Sequence, residues 1–455
     1  MRDERPGPRG LRDTIGAMRG LTGDPCPTLD ALVAEHGPTF VVRGGPMTMA
    51  IVGDPVHLAP LLATTTDAFR WGHRFNVLGF IVGPGSMIVS DGDDHRRRRG
   101  AAQPGFARRR LDTWIPLIVS ETDRLVDETL THRADAFDLY PVGRAFVRRV
   151  VVRVLFGDGL GDRADELGAV LEPAMTYGVQ PALRQLPHPL PYTRRARARA
   201  ALRAADAIIY EELARRRRAP RTDDDAIDVF DTLLANEGLA AEGGALSTSE
   251  IRDQTITLIA AGYDTTSSGL AWTVLRAARV PEVWNGLRAE ADRVLGDTPT
   301  TQLDGATLRN LTYADAVVRE SLRLHPPGVF SPRQAERDLV LGDFAIERGT
   351  MILWSPYVSG RLPDVWGDPL EFRPARFADP DARQQSAIDG AWMPYGRGPR
   401  ACIGFALAQM ELTLALSRLA QRVDIEAVNP NVPRPVGMIV NRPAGGVVAR
   451  VAVRT

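Results

Sequence analysis

The residues best placed by type and spacing to do chemistry lie between Met393 and Glu411, M-P-Y-G-R-G-P-R-A-C-I-G-F-A-L-A-Q-M-E. Gly396 and Gly398 permit backbone angles closed to residues with a Cβ, and Pro399 sets a turn before Cys402 is presented. Beyond it Leu407, Met410 and Leu414, with Ala408, Leu412, Ala415 and Leu419, recur at helical spacing, which puts the thiol close to a predicted helix N-terminus. There the helix dipole and unpaired N–H groups favour a thiolate. The other cysteine, Cys26, lies far off in sequence, so Cys402 has no neighbour for a disulfide or a zinc site.

Such a thiolate has three main uses: nucleophilic attack, redox sensing, and ligation of haem iron through one sulfur. Against them stands the commoner role of a lone cysteine as a small buried hydrophobe. Three further constellations bear on the choice. Ser247 to Arg279 reads as a helix about fifty ångströms long at ~1.5 Å per residue, opened by a capping box of Ser247 and Glu250. Inside it Ala261-Gly262-Tyr263-Asp264-Thr265-Thr266 sets glycine and threonine where both lower helix propensity, a local cost that points to function. His95 and Arg99 are four apart on one predicted helix face, and Glu320 and Arg323 three apart on another. The bland reading of these pairs is a solvated helix surface.

The segment Tyr395 to Gly404 resembles, with tyrosine in place of the usual phenylalanine, the haem-binding signature F-x-x-G-x-R-x-C-x-G of the cytochrome P-450 family, the haem-thiolate monooxygenases. Ala261 to Thr266 is similar to that family's oxygen-activation motif A-G-x-[DE]-T-T, and Glu320 to Arg323 to its E-x-x-R. The resemblance covers nearly the whole chain. It implies that Cys402 is the axial ligand of the iron of haem b, with Tyr395, Gly396 and Arg400 around it. It further implies that His95, Arg99 and Arg333 meet the haem propionates, Ala261 faces the iron, Asp264 relays protons and Thr265 holds a hydrogen bond to bound oxygen. Gly262 would let the helix loosen there. Glu320, Arg323 and Arg376 would form a buried structural triad. Two departures stand out: the Tyr395 hydroxyl, which could alter hydrogen bonding around the thiolate, and Gly360 where the family commonly has histidine, which would weaken a haem-side contact.

The activity so implied is insertion of one oxygen atom from O2 into a small apolar organic substrate. Electrons would come from a separate ferredoxin or flavodoxin with its NAD(P)H reductase, since no flavin or iron–sulfur segment is evident. Arg97, Arg98 and Arg108 to Arg110 are candidates for steering such an acidic partner. Two rivals are a peroxide-using or rearranging haem-thiolate enzyme and a non-catalytic haem sensor. Neither needs Asp264 and Thr265.

The resemblance implies a mainly α-helical fold with small β-sheets, residues 1–455 forming one domain, with haem buried between the long central helix and the cysteine-loop helix; residues 1–20 are expected to be flexible. Residues 111–172 read as packed helices, Arg194 to Arg218 as a long basic helix, Pro281 and Tyr313 to Leu324 as further helices, and Val329 to Arg361 as short strands. Leu171 to Pro191, broken by five prolines, suits a mobile lid. Phe75, Leu78, Phe80, Met87, Tyr177, Val329 and Met438 are candidates for the substrate cavity.

Formal net charge is zero, so the global balance calls for neither nucleic acid nor an anionic membrane. All 56 basic residues are arginine, which with abundant alanine, glycine and proline indicates a GC-rich, bacterial source. The polar N-terminus has no apolar run behind it, and two unrelated cysteines fit a reducing compartment, so a cytoplasmic protein without a membrane anchor is expected.

Overall fold

Long amphipathic and apolar repeats make helix the dominant element, and the observed helices fall close to the predicted ones. In the computed structural model residues 5–44, 47–64, 66–71, 77–133, 135–178, 185, 188–221, 228–238, 246–437 and 439–454 are described. The central helix runs Thr248–Ala278, and its N-cap is the predicted capping box: Ser247 Oγ accepts from the Glu250 N–H at 3.2 Å, and Glu250 Oε2 accepts from the Ser247 N–H at 2.9 Å. Most of its side chains are buried, including polar ones. Thr255 and Thr273 satisfy their hydroxyls on the carbonyls of Ile251 and Gly269, one turn back, so burial leaves them paired.

Around this axis pack Arg108–Leu125, Leu139–Gly161, Ala164–Gly178, Arg194–Arg218, Pro281–Val294, Thr312–Leu324 and, after the cysteine loop, Phe405–Arg422. The large core joins these helices through residues such as Val150, Ile259, Val317 and Leu414. A five-stranded sheet flanks them in the order Thr39–Gly44, Met47–Val52, Met351–Trp354, Ser331–Ala335, Phe69–Arg70. Its first pair is an antiparallel hairpin with Thr39 opposite Val52, and Met47–Val52 runs parallel to Met351–Trp354. The hairpin brings Val41 and Val52 into one cluster with Trp354, and Phe40 and Ile51 into another with Leu353, as alternation on a strand requires. Val423–Ala427, Val448–Val453 and Phe137–Asp138 form a smaller sheet. The whole forms one domain, and among the described residues no helix is long and apolar enough to cross a membrane.

Among the described residues, from residue 5 onward, the expected flexible N-terminus is corrected. Leu11–Gly23 is a helix that buries Ala17 and Leu21 against Leu29 and Phe40, and the Pro6 carbonyl accepts from the Val41 N–H at 2.8 Å. Thr14, Ala17 and Leu21, spaced three and four apart, form its buried face. Cys26 is buried in the same cluster, its thiol pushed up to about 12 by burial, and its role is packing. The proline-broken stretch begins with an ordered helix, Ala164–Gly178, that contains Pro173; residues 179–184 and 186–187 lie outside the described residues.

Candidate active site

Between the central helix and the cysteine loop lies a cavity of about 410 Å³. The loop that forms its floor closes on itself: the Cys402 N–H donates to the Tyr395 carbonyl at 2.8 Å and the Ala401 N–H to the Gly398 carbonyl at 3.0 Å. Gly396 and Gly398 both have positive φ (65° and 73°). At Gly398 a Cβ would also lie 2.2 Å from the Leu62 carbonyl oxygen, so only glycine passes. Cys402 is exposed to this cavity while its other surroundings are densely packed. Burial raises the thiol above its ordinary value, against the Gly404 N–H and the charge of Arg99, which favour a thiolate. The helix starts at Phe405 with Gly404 as its N-cap, so the thiol meets a free N–H at the helix N-terminus as the sequence reading expects, and burial outweighs it.

Predicted residues distant in sequence converge on one wall: His95 and Arg99 from Gly92–Ala102, Arg333 from Ser331–Ala335, and Arg400 from the cysteine loop all line the cavity. Burial, then Arg400 and Arg99, lower His95 to about 4. Burial and then Arg400 lower Arg333 to about 9, and burial lowers Arg400 to about 10 with Asp91 opposing. Buried basic groups that depress one another are a costly arrangement unless an anion joins them. His95 Nδ1, Arg333 Nε and Arg400 Nε are buried without a hydrogen-bond partner among the described residues. A ring carrying two carboxylates, such as haem, fits that donor set.

Trp71 helps to hold the wall, a role that its place in an apolar loop did not reveal in the sequence. The Arg400 guanidinium stacks on its ring at 3.8 Å and that of Arg333 lies 5.0 Å away. The Trp71 N–H donates to Asp91 Oδ1 at 2.7 Å.

Opposite the sulfur, Leu258, Ala261 and Thr265 line the cavity from successive turns of the central helix. The Thr265 hydroxyl donates to the Ala261 carbonyl at 2.6 Å. The helix is not loosened at Gly262, contrary to expectation; a Cβ there would lie 2.9 Å from Val151 Cγ1, so this glycine serves close packing against Leu139–Gly161. Asp264 points away from the cavity. Its Oδ1 is 3.3 Å from Arg144 Nη2, a contact that misses hydrogen-bond geometry, and Arg144 in turn lies 3.3 Å from the half-exposed Glu172. Burial pushes the Asp264 carboxyl up, against Arg144 and Arg442.

The segment Gly83 to Ser90 is stitched to the central helix by side chains that sequence reading did not single out. Asp253 Oδ2 accepts from the Gly85 N–H at 2.8 Å and Gln254 Oε1 from the Met87 N–H at 2.9 Å, while the Thr257 hydroxyl donates to Ser86 Oγ at 2.6 Å. This strap holds Met87 and Ile88 over the cavity. Of the other cavity candidates, Phe80 and Tyr177 pack edge to face at 5.3 Å with Arg195 over Phe80 at 4.1 Å, outside the cavity wall. Val329 is buried beside Tyr357 and Val358 in a separate core cluster, and Leu78 is not part of the wall either. Phe75 and Met438 lie outside the described residues.

One surface expectation is corrected. Arg97 and Arg98 are not a free docking face: both pair with Glu250, at 2.6 and 2.8 Å, and clamp the start of the central helix. Arg108 and Arg109 are exposed. The triad is assembled as predicted, with Arg323 Nε and Nη2 on Glu320 at 2.7 and 2.8 Å and Arg376 Nε 3.4 Å from the same carboxylate, all three buried. Gly360 belongs to this network rather than to the cavity. Its carbonyl accepts from Arg323 Nη1 at 2.5 Å, and a Cβ would lie 2.4 Å from the Arg323 carbonyl oxygen. Gly360→His should therefore cost about 1–3 kcal/mol of stability by overpacking. Urea unfolding measures it, and an unchanged midpoint would show that the backbone relaxes freely there.

A sulfur and a cationic wall facing a helix that presents an alcohol suit a haem-thiolate protein. The model of the family Cytochrome P450 matches residues 16–448, and the chain belongs to the cytochrome P450 family, the haem-iron monooxygenases. It is similar to Putative cytochrome P450 139 of Mycobacterium tuberculosis, 34% identical over 401 residues covering 88% of each chain. It is also similar to cyclooctat-9-en-7-ol 5-monooxygenase of Streptomyces melanosporofaciens, 31% identical over 415 residues covering 90% of this chain and 86% of that one. The fold matches retinoic-acid-bound cyanobacterial CYP120A1 with a TM-score of 0.81 at 23% identity, over 93% of this chain and 94% of that one.

Proposed function

We propose that this P450 binds haem b through Cys402 and inserts one oxygen atom from O2 into a C–H or C=C bond of a small apolar organic molecule. The observation that carries the reading is the cavity itself, with Cys402 and the His95, Arg99, Arg333 and Arg400 wall facing Ala261 and Thr265. When bound, the haem supplies the iron at which dioxygen is activated, and electron donation by the thiolate favours O–O cleavage. The four basic residues would take the propionates, with Tyr395 and Gly396 lining the site beside the sulfur. Ala261, with no more than a methyl group, leaves room for a diatomic molecule. Met87, Ile88 and Leu258 present an apolar surface to the substrate and keep bulk water out.

Thr265 moves the proton at the cavity face: its hydroxyl, parked on the Ala261 carbonyl, turns to donate to oxygen. Asp264 would take replacement protons from the side of Glu172, with the Arg144 guanidinium between them holding the two carboxyls in place rather than carrying the proton, and its raised pKa suits a group that both holds and releases one. Electrons come from a ferredoxin or flavodoxin with its NAD(P)H reductase in the cytoplasm, steered by exposed arginines such as Arg108.

The test is Thr265→Ala. Haem content and substrate binding should persist, while product per electron pair falls by about 10²-fold or more, the lower end of the ~10²–10⁴-fold usual for general acid–base groups. The missing electrons should appear as hydrogen peroxide. Coupling equal to that of the unaltered enzyme would remove Thr265 from the mechanism.

A further inference from the structure

The tyrosine that replaces phenylalanine beside the cysteine has a dedicated partner. Its ring lines the cavity, and its carbonyl is bonded to the Cys402 N–H, so one turn places both ring and sulfur. The Tyr395 hydroxyl donates to Gln409 Oε1 at 3.1 Å, and Gln409 Nε2 donates to Asp315 Oδ1 at 2.7 Å. Gln409 stands on the helix that follows the cysteine, and Asp315 on Thr312–Leu324, the helix that also carries Glu320 and Arg323. Trp392 closes the ring in edge-on at 5.9 Å. The amide can serve this chain in one orientation only, oxygen to the phenol and nitrogen to the carboxylate.

Each link in this chain is a dipole, and all point the same way. The phenol O–H and the amide both have their positive ends towards Asp315, whose carboxylate ends the chain, and their negative ends back towards Tyr395 and its loop. The hydroxyl proton is committed to Gln409, so it is not offered to the sulfur and does not drain charge from a thiolate. Resting on the haem-thiolate reading above, we propose that Gln409 and Asp315 are positioning residues. They hold Tyr395 so that the aligned chain adds negative potential at the haem's cysteine face, favouring ferric over ferrous iron relative to a chain with phenylalanine at 395. Hydrogen bonds to a thiolate ligand and the charges around it set such potentials. Asp315, 39% exposed and 4.0 Å from Arg319, supplies the charged end of the chain.

The experiment is a redox titration of the haem-loaded protein with mediator dyes, with the carbon monoxide spectrum of the same samples as a check on ligation. In Tyr395→Phe, Gln409→Leu and Asp315→Asn the ferric–ferrous equilibrium should shift about threefold or more towards ferrous, the scale of one net hydrogen bond. The Tyr395→Phe, Gln409→Leu double variant should shift no further than either single one. Asn at 315 still accepts the amide, so this variant tests the charge with the chain intact, and its part-exposed site leaves folding undisturbed. Equilibria within error of the unaltered protein, in samples that keep the far-red thiolate band, would overturn the proposal. A band at the imidazole-ligated position in the unaltered protein would overturn the haem-thiolate reading and this proposal with it.

Discussion

Cys402→His is expected to abolish monooxygenase turnover while leaving a haem protein. Reduced with dithionite under carbon monoxide, the unaltered enzyme should show a Soret band displaced far to the red, and the variant a band at the ordinary imidazole position. Cys402 is exposed to the cavity floor and its loop is closed by the Tyr395 carbonyl, so a histidine can be accommodated there without unfolding the chain. What it cannot supply is the electron donation of a thiolate to the iron. Turnover should fall at least about 10³-fold, equivalent to ~4 kcal/mol in the barrier. Identical spectra for the two proteins would show that another residue holds the iron.

The second large effect is structural. Glu320→Ala leaves Arg323 and Arg376 as buried cations facing one another, and it also removes the acceptor of the Arg373 N–H, at 2.9 Å. Arg323 is fully buried and spends its remaining donors on the carbonyls of Gly360, Pro369 and Glu371, so it has no route to solvent. Removing one partner of a buried ion pair typically costs about 3–5 kcal/mol, a large share of the ~5–15 kcal/mol that holds a domain folded. The variant should accumulate poorly and lose haem. Urea unfolding of what can be purified measures the loss, and a loss below about 1 kcal/mol, the level of an exposed pair, would show that the network does not carry the scaffold.

The contrast between the two sites explains what could be read without coordinates. The cysteine loop, the Ala261–Thr266 hexapeptide and the Glu320–Arg323 pair are local: spacing along a helix or a turn places their side chains, so each motif and its geometry coincide within ten residues. The same locality let the Ser247 capping box and the full extent of Arg194–Arg218 be predicted from sequence.

Other assignments depend on which element lies opposite, and there sequence spacing is silent. Arg97 and Arg98 look like a solvated run until Glu250 is found facing them, 152 or more residues away. Gly262 and Gly360 read as functional departures from helix or family pattern, yet the space each leaves is filled by Val151 and by the Arg323 carbonyl.

Composition and motifs alone determined the family, the sulfur and the helix that faces it, because each is written in a contiguous stretch. The tertiary structure decided which basic residues share a wall, where Trp71 and the Asp253–Thr257 strap bear on the site, and that Tyr395 turns its hydroxyl to Gln409. Those are contacts between chain segments brought together by burial, and hydrophobic burial is not directional enough for a sequence to announce its pairings.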